Sequence, residues 1–103
     1  MDQWSGGRLD ALVAEATVDA NGDDEQLTGL YTRIEDELAV PFQTEVLGVR
    51  VTVERVELTE AGHIVAVCSR GALEQAVGIL DLPLPAPPPE GAQWIAAYRR
   101  WAR

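Results

Sequence analysis

The residues of this chain best suited to chemistry are carboxylates concentrated in one short segment. Residues 15–37 hold eight of the 17 acidic side chains and one of the eight arginines, so the segment has a net charge of −7, against −9 for all 103 residues. Carboxylate oxygens without a nearby histidine or cysteine favour a hard cation such as Ca²⁺. The alternative is a solvated helix face that binds no ion. The eight carboxylates are Glu15, Asp19, Asp23, Asp24, Glu25, Glu35, Asp36 and Glu37.

The end of the predicted second helix favours an ion over a merely solvated face. Glu35, Asp36 and Glu37 occupy its last turn, where the helix dipole disfavours each negative charge by about 0.3–1 kcal/mol. A bound divalent cation would reverse this penalty. The site is not an EF-hand, because a loop beginning at Asp19 lacks glycine at position six and glutamate at position twelve.

The sequence contains little that suggests catalysis. The only histidine, His63, lies beside a predicted turn, and the only cysteine, Cys68, ends an apolar strand, where we expect a small buried hydrophobe. Motifs of zinc proteases, phosphate-binding loops and serine hydrolases are absent from the sequence. The acidic charge also excludes a nucleic-acid binder, which needs a basic face. We therefore expect no enzyme activity.

Two amphipathic helices are predicted to position the acidic segment. Apolar residues at i, i+3, i+4 and i+7 spacing predict the first over residues 8–18, and turn residues follow at 19–23. Asp23 with Gln26 resembles a capping box at the start of the second helix. Pro41 fixes its end, because the residue before a proline avoids helical dihedrals. The apolar stripe of the second helix is Leu27, Leu30, Tyr31, Ile34 and Leu38.

The period then changes from helical to alternating. Alternating valines predict a half-buried strand over residues 49–53, and residues 64–68 and 75–80 predict two more. Trp94, at helical spacing with two later aromatic residues, predicts a C-terminal helix that docks on the core. The arginines at positions 99, 100 and 103 suit the dipole at the end of that helix and could also pair with the acidic segment.

These elements predict a single α+β domain over residues 1–103. It has two N-terminal helices in an acidic segment at 8–39, a small antiparallel sheet of three or four strands at 43–81, a proline-rich strap at 82–90 and a C-terminal helix at 91–102. The sheet is expected to be a meander or a partial barrel.

We expect the protein in the cytoplasm, without a membrane partner. Its longest apolar run, residues 64–68, is far shorter than the roughly 20 residues that a membrane span needs. The first residues lack the charged and apolar blocks of a signal peptide, and a single cysteine fits a reducing compartment.

The acidic segment resembles a family of bacterial calcium-binding proteins, typified by cyanobacterial CcbP. The resemblance covers residues 15–42 and is looser beyond them. At Asn21, cyanobacterial members have a tyrosine, and they have more aromatic residues after Gly29. The matching elements are Glu15-Ala16-Thr17-Val18-Asp19-Ala20, Asp23-Asp24-Glu25-Gln26, Gly29, Ile34-Glu35-Asp36-x-Leu38 and Pro41-Phe42.

The resemblance implies a protein without EF-hands that binds calcium through surface carboxylates and serves as an intracellular calcium buffer or signalling component. It carries the role of metal ligand over to Glu15, Asp19, Glu25, Glu35 and Asp36. The alternative function is a metal-free interaction module that presents an acidic face to a basic protein partner.

Overall fold

The computed structural model describes residues 4–102 and contains three α-helices and one four-stranded antiparallel sheet. The strands pair in sequence order as a meander, which confirms the predicted α+β class. The order is α1 (Gly6–Ala16), α2 (Asp23–Glu37), β1 (Phe42–Val46), β2 (Val49–Leu58), β3 (Ile64–Arg70), β4 (Leu73–Gly78), a short 3-10 turn (Ile79–Asp81) and α3 (Gln93–Trp101).

The start of α2 differs from the prediction, whereas its end agrees with it. Gly22 occupies the N-cap position at φ 116°, and no side chain caps the helix. The predicted capping box is therefore wrong: Asp23 already lies in the helix, and the Gln26 side chain accepts a hydrogen bond from Trp101 Nε1 at 2.8 Å. The helix ends at Glu37, so three carboxylates and no basic residue lie in its last turn.

The four strands agree with the predicted three or four, and β1 is the strand that no alternating pattern indicated. Strand β1 is joined to β2 by Leu47 and Gly48, whose φ angles are 51° and 78°. Two left-handed residues in a two-residue turn suit the right-handed twist of a hairpin. The third predicted strand is displaced: β4 spans Leu73–Gly78, and the 3-10 turn begins at Ile79.

An irregularity in β2 allows two residues that are three positions apart to be buried together. Val53 and Val56 are both buried, although residues three apart on a regular strand face opposite sides. The register with β3 shifts between Val53 and Arg55, as in a β-bulge. The bulge lets both valines be buried: Val56 packs in the cluster that contains the helices, and Val53 packs in a second cluster with Leu82 of the strap.

The core lies between the helices and the inner face of the sheet. Trp94 and Tyr98 of α3 are 3% and 7% exposed, which confirms that this helix docks on the core. Leu82 of the proline-rich strap is buried, and the Thr44 hydroxyl donates to Pro83 O at 2.6 Å.

No helix of residues 4–102 is long and apolar enough to cross a membrane.

Of the C-terminal arginines, Arg99 and Arg100 lie within the described residues, and neither forms a hydrogen bond or ion pair with the acidic segment 15–37. Arg100 Nε forms an ion pair with Asp10 Oδ1 of α1 at 2.5 Å, and Arg99 donates to Leu80 O at 2.9 Å. Arg103, which was predicted to act with them, lies outside the described residues. These contacts fix α3 against α1 and the 3-10 turn.

Candidate metal site

A cavity of about 450 Å³ lies where the end of α1 and the following turn meet the first half of α2. Three of the five predicted calcium ligands line it: Glu15 from α1, Asp19 from the turn and Glu25 from α2. All three side chains are exposed. Arg33 lines the same cavity and is the only basic residue that does so among residues 4–102.

The two helices approach closely beside this cavity because residue 29 is glycine. A Cβ atom at Gly29 would lie 2.2 Å from Ala16 O, far inside the contact distance of real Cβ atoms. The missing side chain lets the last carbonyl of α1 rest on α2. Gly29 therefore sets the separation of the helices at the site.

Two of the carboxylates make local contacts in the cavity. Glu25 Oε1 accepts a hydrogen bond from the Asn21 backbone N–H at 3.1 Å, which ties the turn to the start of α2. Glu15 Oε1 lies 3.6 Å from Arg33 Nη2. The Arg33 guanidinium also lies over the Trp94 ring, with its central carbon 5.2 Å from the ring centroid. The Trp94 ring therefore contacts the same guanidinium group that forms the ion pair with Glu15.

The other two predicted ligands lie at the far end of α2. Glu25 and Glu35 are ten residues apart on one helix, so about 15 Å of helix axis separates them. Asp36 is exposed in the last turn. One ion cannot contact both ends.

Glu35 is engaged in a separate contact. Its Oε2 accepts a hydrogen bond from the Tyr31 hydroxyl at 2.8 Å. Burial, together with this hydrogen bond, raises the pKa of Tyr31 to about 12. Glu35 therefore helps to hold α2 near β2, because the same hydroxyl lies 3.3 Å from Val56 O.

The carboxylates of the cavity are not gathered into a closed metal centre. Within residues 4–102, no group of three or more histidine, cysteine, aspartate or glutamate side chains is close enough to hold a metal ion. Like charges repel, so exposed carboxylates without a cation between them turn toward solvent or toward local donors. What the fold brings together is the backbone positions of Glu15, Asp19 and Glu25.

The contacts of Arg33 in this cavity were not predicted from the sequence. Arg33 is the single basic residue of residues 15–37, which was a signal that it has a role there, but its contact with Trp94 joins residues 61 positions apart and has no local pattern.

Cys68 is buried, as predicted, and burial raises the pKa of its thiol. His63 is exposed beside a turn.

Comparisons of the chain with protein-family models, with curated proteins and with solved structures find no match in any of the three.

Proposed function

We propose that this protein binds calcium at the cavity between α1 and α2 and acts in the cytoplasm as a calcium buffer or signalling component. One observation supports the proposal most directly: Glu15, Asp19 and Glu25, which the family resemblance implies as ligands, line a single cavity. The three residues come from α1, the turn after it and α2, and they are neighbours only when the two helices fold into a hairpin.

The donor set fits calcium better than other common metals. Three carboxylates offer up to six oxygens, and no histidine or cysteine lines the cavity among the described residues. Calcium takes six to eight oxygens in irregular geometry, whereas magnesium requires a compact octahedron. Zinc and copper prefer sites that include nitrogen or sulfur ligands. The site should therefore favour calcium over magnesium and zinc.

Ion binding would require the carboxylates to turn toward one another. Glu15 and Glu25 are exposed and unbranched, so fixing each side chain costs up to about 2 kcal/mol of conformational entropy. Glu15 would also have to give up its ion pair with Arg33. These costs favour modest affinity, which suits a buffer.

Calorimetric titration of the purified protein with calcium tests the proposal. We expect heat that saturates with one or two ions. Asp19→Asn should weaken binding by about tenfold or more, equivalent to about 1.4 kcal/mol. Asp24→Asn is the matched control, because Asp24 is an exposed neighbour of Glu25 that does not line the cavity. Its affinity should stay within about twofold of the unsubstituted protein, since only long-range charge is lost.

Tryptophan emission provides an independent measurement at the same site. Calcium that occupies Glu15 should change the contact between Arg33 and Trp94. Because the chain has three tryptophans, the emission is measured in a variant in which Trp4 and Trp101 are replaced by phenylalanine. Loss of affinity in Asp36→Asn but not in Asp19→Asn would assign the ion to the end of α2 and contradict the cavity. An equal response to magnesium and calcium would indicate charge screening rather than a site.

The second candidate function is a metal-free module that binds a basic protein partner. It is favoured by the acidic residues of α2 outside the cavity, which are all exposed: Asp23, Asp24, Glu35, Asp36 and Glu37. Calorimetric silence with calcium, together with saturable binding of an arginine-rich peptide that Asp36→Asn weakens, would establish this function and overturn the first.

A further inference from the structure

Strand β4 forms an uncovered edge of the sheet. It is the last strand in the order β1-β2-β3-β4, and within residues 4–102 its backbone forms no hydrogen bond to other backbone groups outside the ladder with β3. Alternate residues of an edge strand direct their N–H and C=O groups away from the sheet. The first four residues of β4 are exposed, and Leu73 is 76% exposed. The edge therefore combines free backbone donors and acceptors with an exposed apolar side chain.

The opposite edge of the sheet is protected. The proline-rich strap lies beside β1, where the Thr44 hydroxyl donates to Pro83 O and Pro85 lines the cavity between strap and strand. Sheet edges are commonly blocked by prolines, bulges or charged side chains. Strand β4 contains no proline, its register with β3 does not shift, and Glu74 is its only charged residue. A further strand can therefore add to β4.

The sequence of β4 is self-complementary about Gln75. Leu73, Gln75 and Val77 alternate along the inner face, because Gln75 pairs with Cys68 and Val77 with Ala66. If two copies pair antiparallel with Gln75 on the two-fold axis, Leu73 of each copy lies opposite Val77 of the other. Apolar cross-strand pairs of this kind stabilise a sheet. The two Gln75 amides face each other, and each can both donate and accept a hydrogen bond.

The charge of β4 favours this register over its neighbours. Glu74 lies opposite Ala76 of the second copy. The two Glu74 side chains are then diagonal neighbours, about 7–8 Å apart, and each keeps its ion pair with Arg55 of its own chain at 3.8 Å. An axis at Glu74 would place the two glutamates directly opposite each other. An axis at Ala76 would place Leu73 opposite Ile79, which is buried in the 3-10 turn.

We propose that two copies of this chain pair through β4, with the two-fold axis at Gln75, and join their four-stranded sheets into one continuous antiparallel sheet. The contact is isologous, so it closes at a dimer. It covers residues 73–77 of each chain, which is small for a permanent interface. We therefore expect a reversible dimer. The edge is separate from the calcium cavity, which is formed by the helices.

Sedimentation equilibrium tests the proposal from about 10 μM to 1 mM protein, in buffer containing EGTA. We expect a monomer–dimer equilibrium. Gln75→Glu should raise the dissociation constant about fivefold or more, because like charges then lie directly opposite each other. Gln43→Glu is the matched control, since Gln43 is an exposed glutamine of the other edge strand and the change in net charge is the same. Its dissociation constant should stay within about twofold, since it adds only screened long-range charge.

A mixture of two charge variants tests the position of the axis. Gln75→Arg alone should weaken dimerisation as Gln75→Glu does. An equal mixture of the two variants should form a heterodimer at least as tight as the unsubstituted dimer, because opposite charges then meet at the axis. Hydrogen exchange of the unsubstituted protein should slow at residues 73–77 as its concentration rises.

Several results would overturn the proposal. One is a monomer at every concentration, and another is equal weakening by Gln43→Glu, which would indicate general repulsion between acidic molecules. A mixture that forms no heterodimer would exclude the axis at Gln75. A monomer that binds a peptide of alternating threonine and valine would identify an edge open to strands of other proteins instead. Circular dichroism checks that the Gln75 variants fold; if they do not, Leu73→Gln must weaken dimerisation for the proposal to stand.

Discussion

Substitution of Gly29 by alanine should separate α1 from α2 and lower the stability of the protein. The new Cβ would lie 2.2 Å from Ala16 O, at least 0.8 Å inside the 3.0 Å limit for such contacts, so backbone must move. Overpacking of this kind costs about 1–3 kcal/mol, and rigid backbone on both sides favours the upper end. Alanine gains about 1 kcal/mol in helix propensity. The net loss is therefore about 2 kcal/mol, which lowers the melting temperature by roughly 8–16 °C.

Gly7→Ala provides the matched control for this experiment. Gly7 is exposed in α1, and a Cβ there would meet nothing within 4 Å. The same chemical change should then be neutral or stabilising by up to about 1 kcal/mol. Thermal and urea denaturation of both variants give the comparison. If Gly29→Ala melts at or above the temperature of the unsubstituted protein, the close approach of the helices does not depend on the glycine.

Two further predictions concern the turn before β2 and the contact between α2 and the sheet. Leu47→Asn should stabilise the protein by roughly 1 kcal/mol, because Leu47 is 98% exposed at φ 51° and asparagine tolerates left-handed backbone; an unchanged urea midpoint would contradict this. Tyr31 has a pKa of about 12, above its ordinary value of 10.0, so the native state holds the proton more tightly and its stability should fall as pH rises from 10 to 12. Tyr31→Phe should remove that part of the fall, and equal slopes of unfolding free energy against pH would refute the assignment.

The elements that followed from the sequence are those with a strong local period. The stripe of α2 and the buried aromatic residues of α3 repeat at helical spacing, and their burial agrees with that pattern. The valines of β2 alternate, and alternation identifies a strand without knowledge of its partners. The α+β class followed from these periods.

The missed features depend on backbone geometry that residue type signals weakly. In the turn that joins β1 to β2, Leu47 has a left-handed φ. Asparagine, aspartate or glycine at this position would have indicated a hairpin. The bulge after Val53 is visible only once β2 is paired with β3. Asp23 has the chemistry of a helix cap, yet Gly22 holds the cap position. In each case the geometry of the surrounding chain outweighed the conformational preference of the local residues.

The candidate calcium site followed from the sequence as a set of residues but not as an arrangement. Composition identified the acidic segment and the resemblance supplied the set of ligands, but neither predicted that Glu15 and Glu25 would be neighbours. Glu25 and Glu35 are far apart because α2 is one continuous helix. An interruption of the helix would have allowed the chain to fold back and bring the two side chains together. The contact of Arg33 with Trp94 required the packing of α3 on α2, which no local pattern encodes.

The net charge of this protein argues against one class of partner, the extended polyanion. At physiological ionic strength, charges separated by more than about 8 Å of solvent are largely screened. A nucleic acid presents a long row of phosphates and would meet the acidic surface of α2 as well as any arginine. The overall charge of −9 therefore argues against nucleic acids as partners.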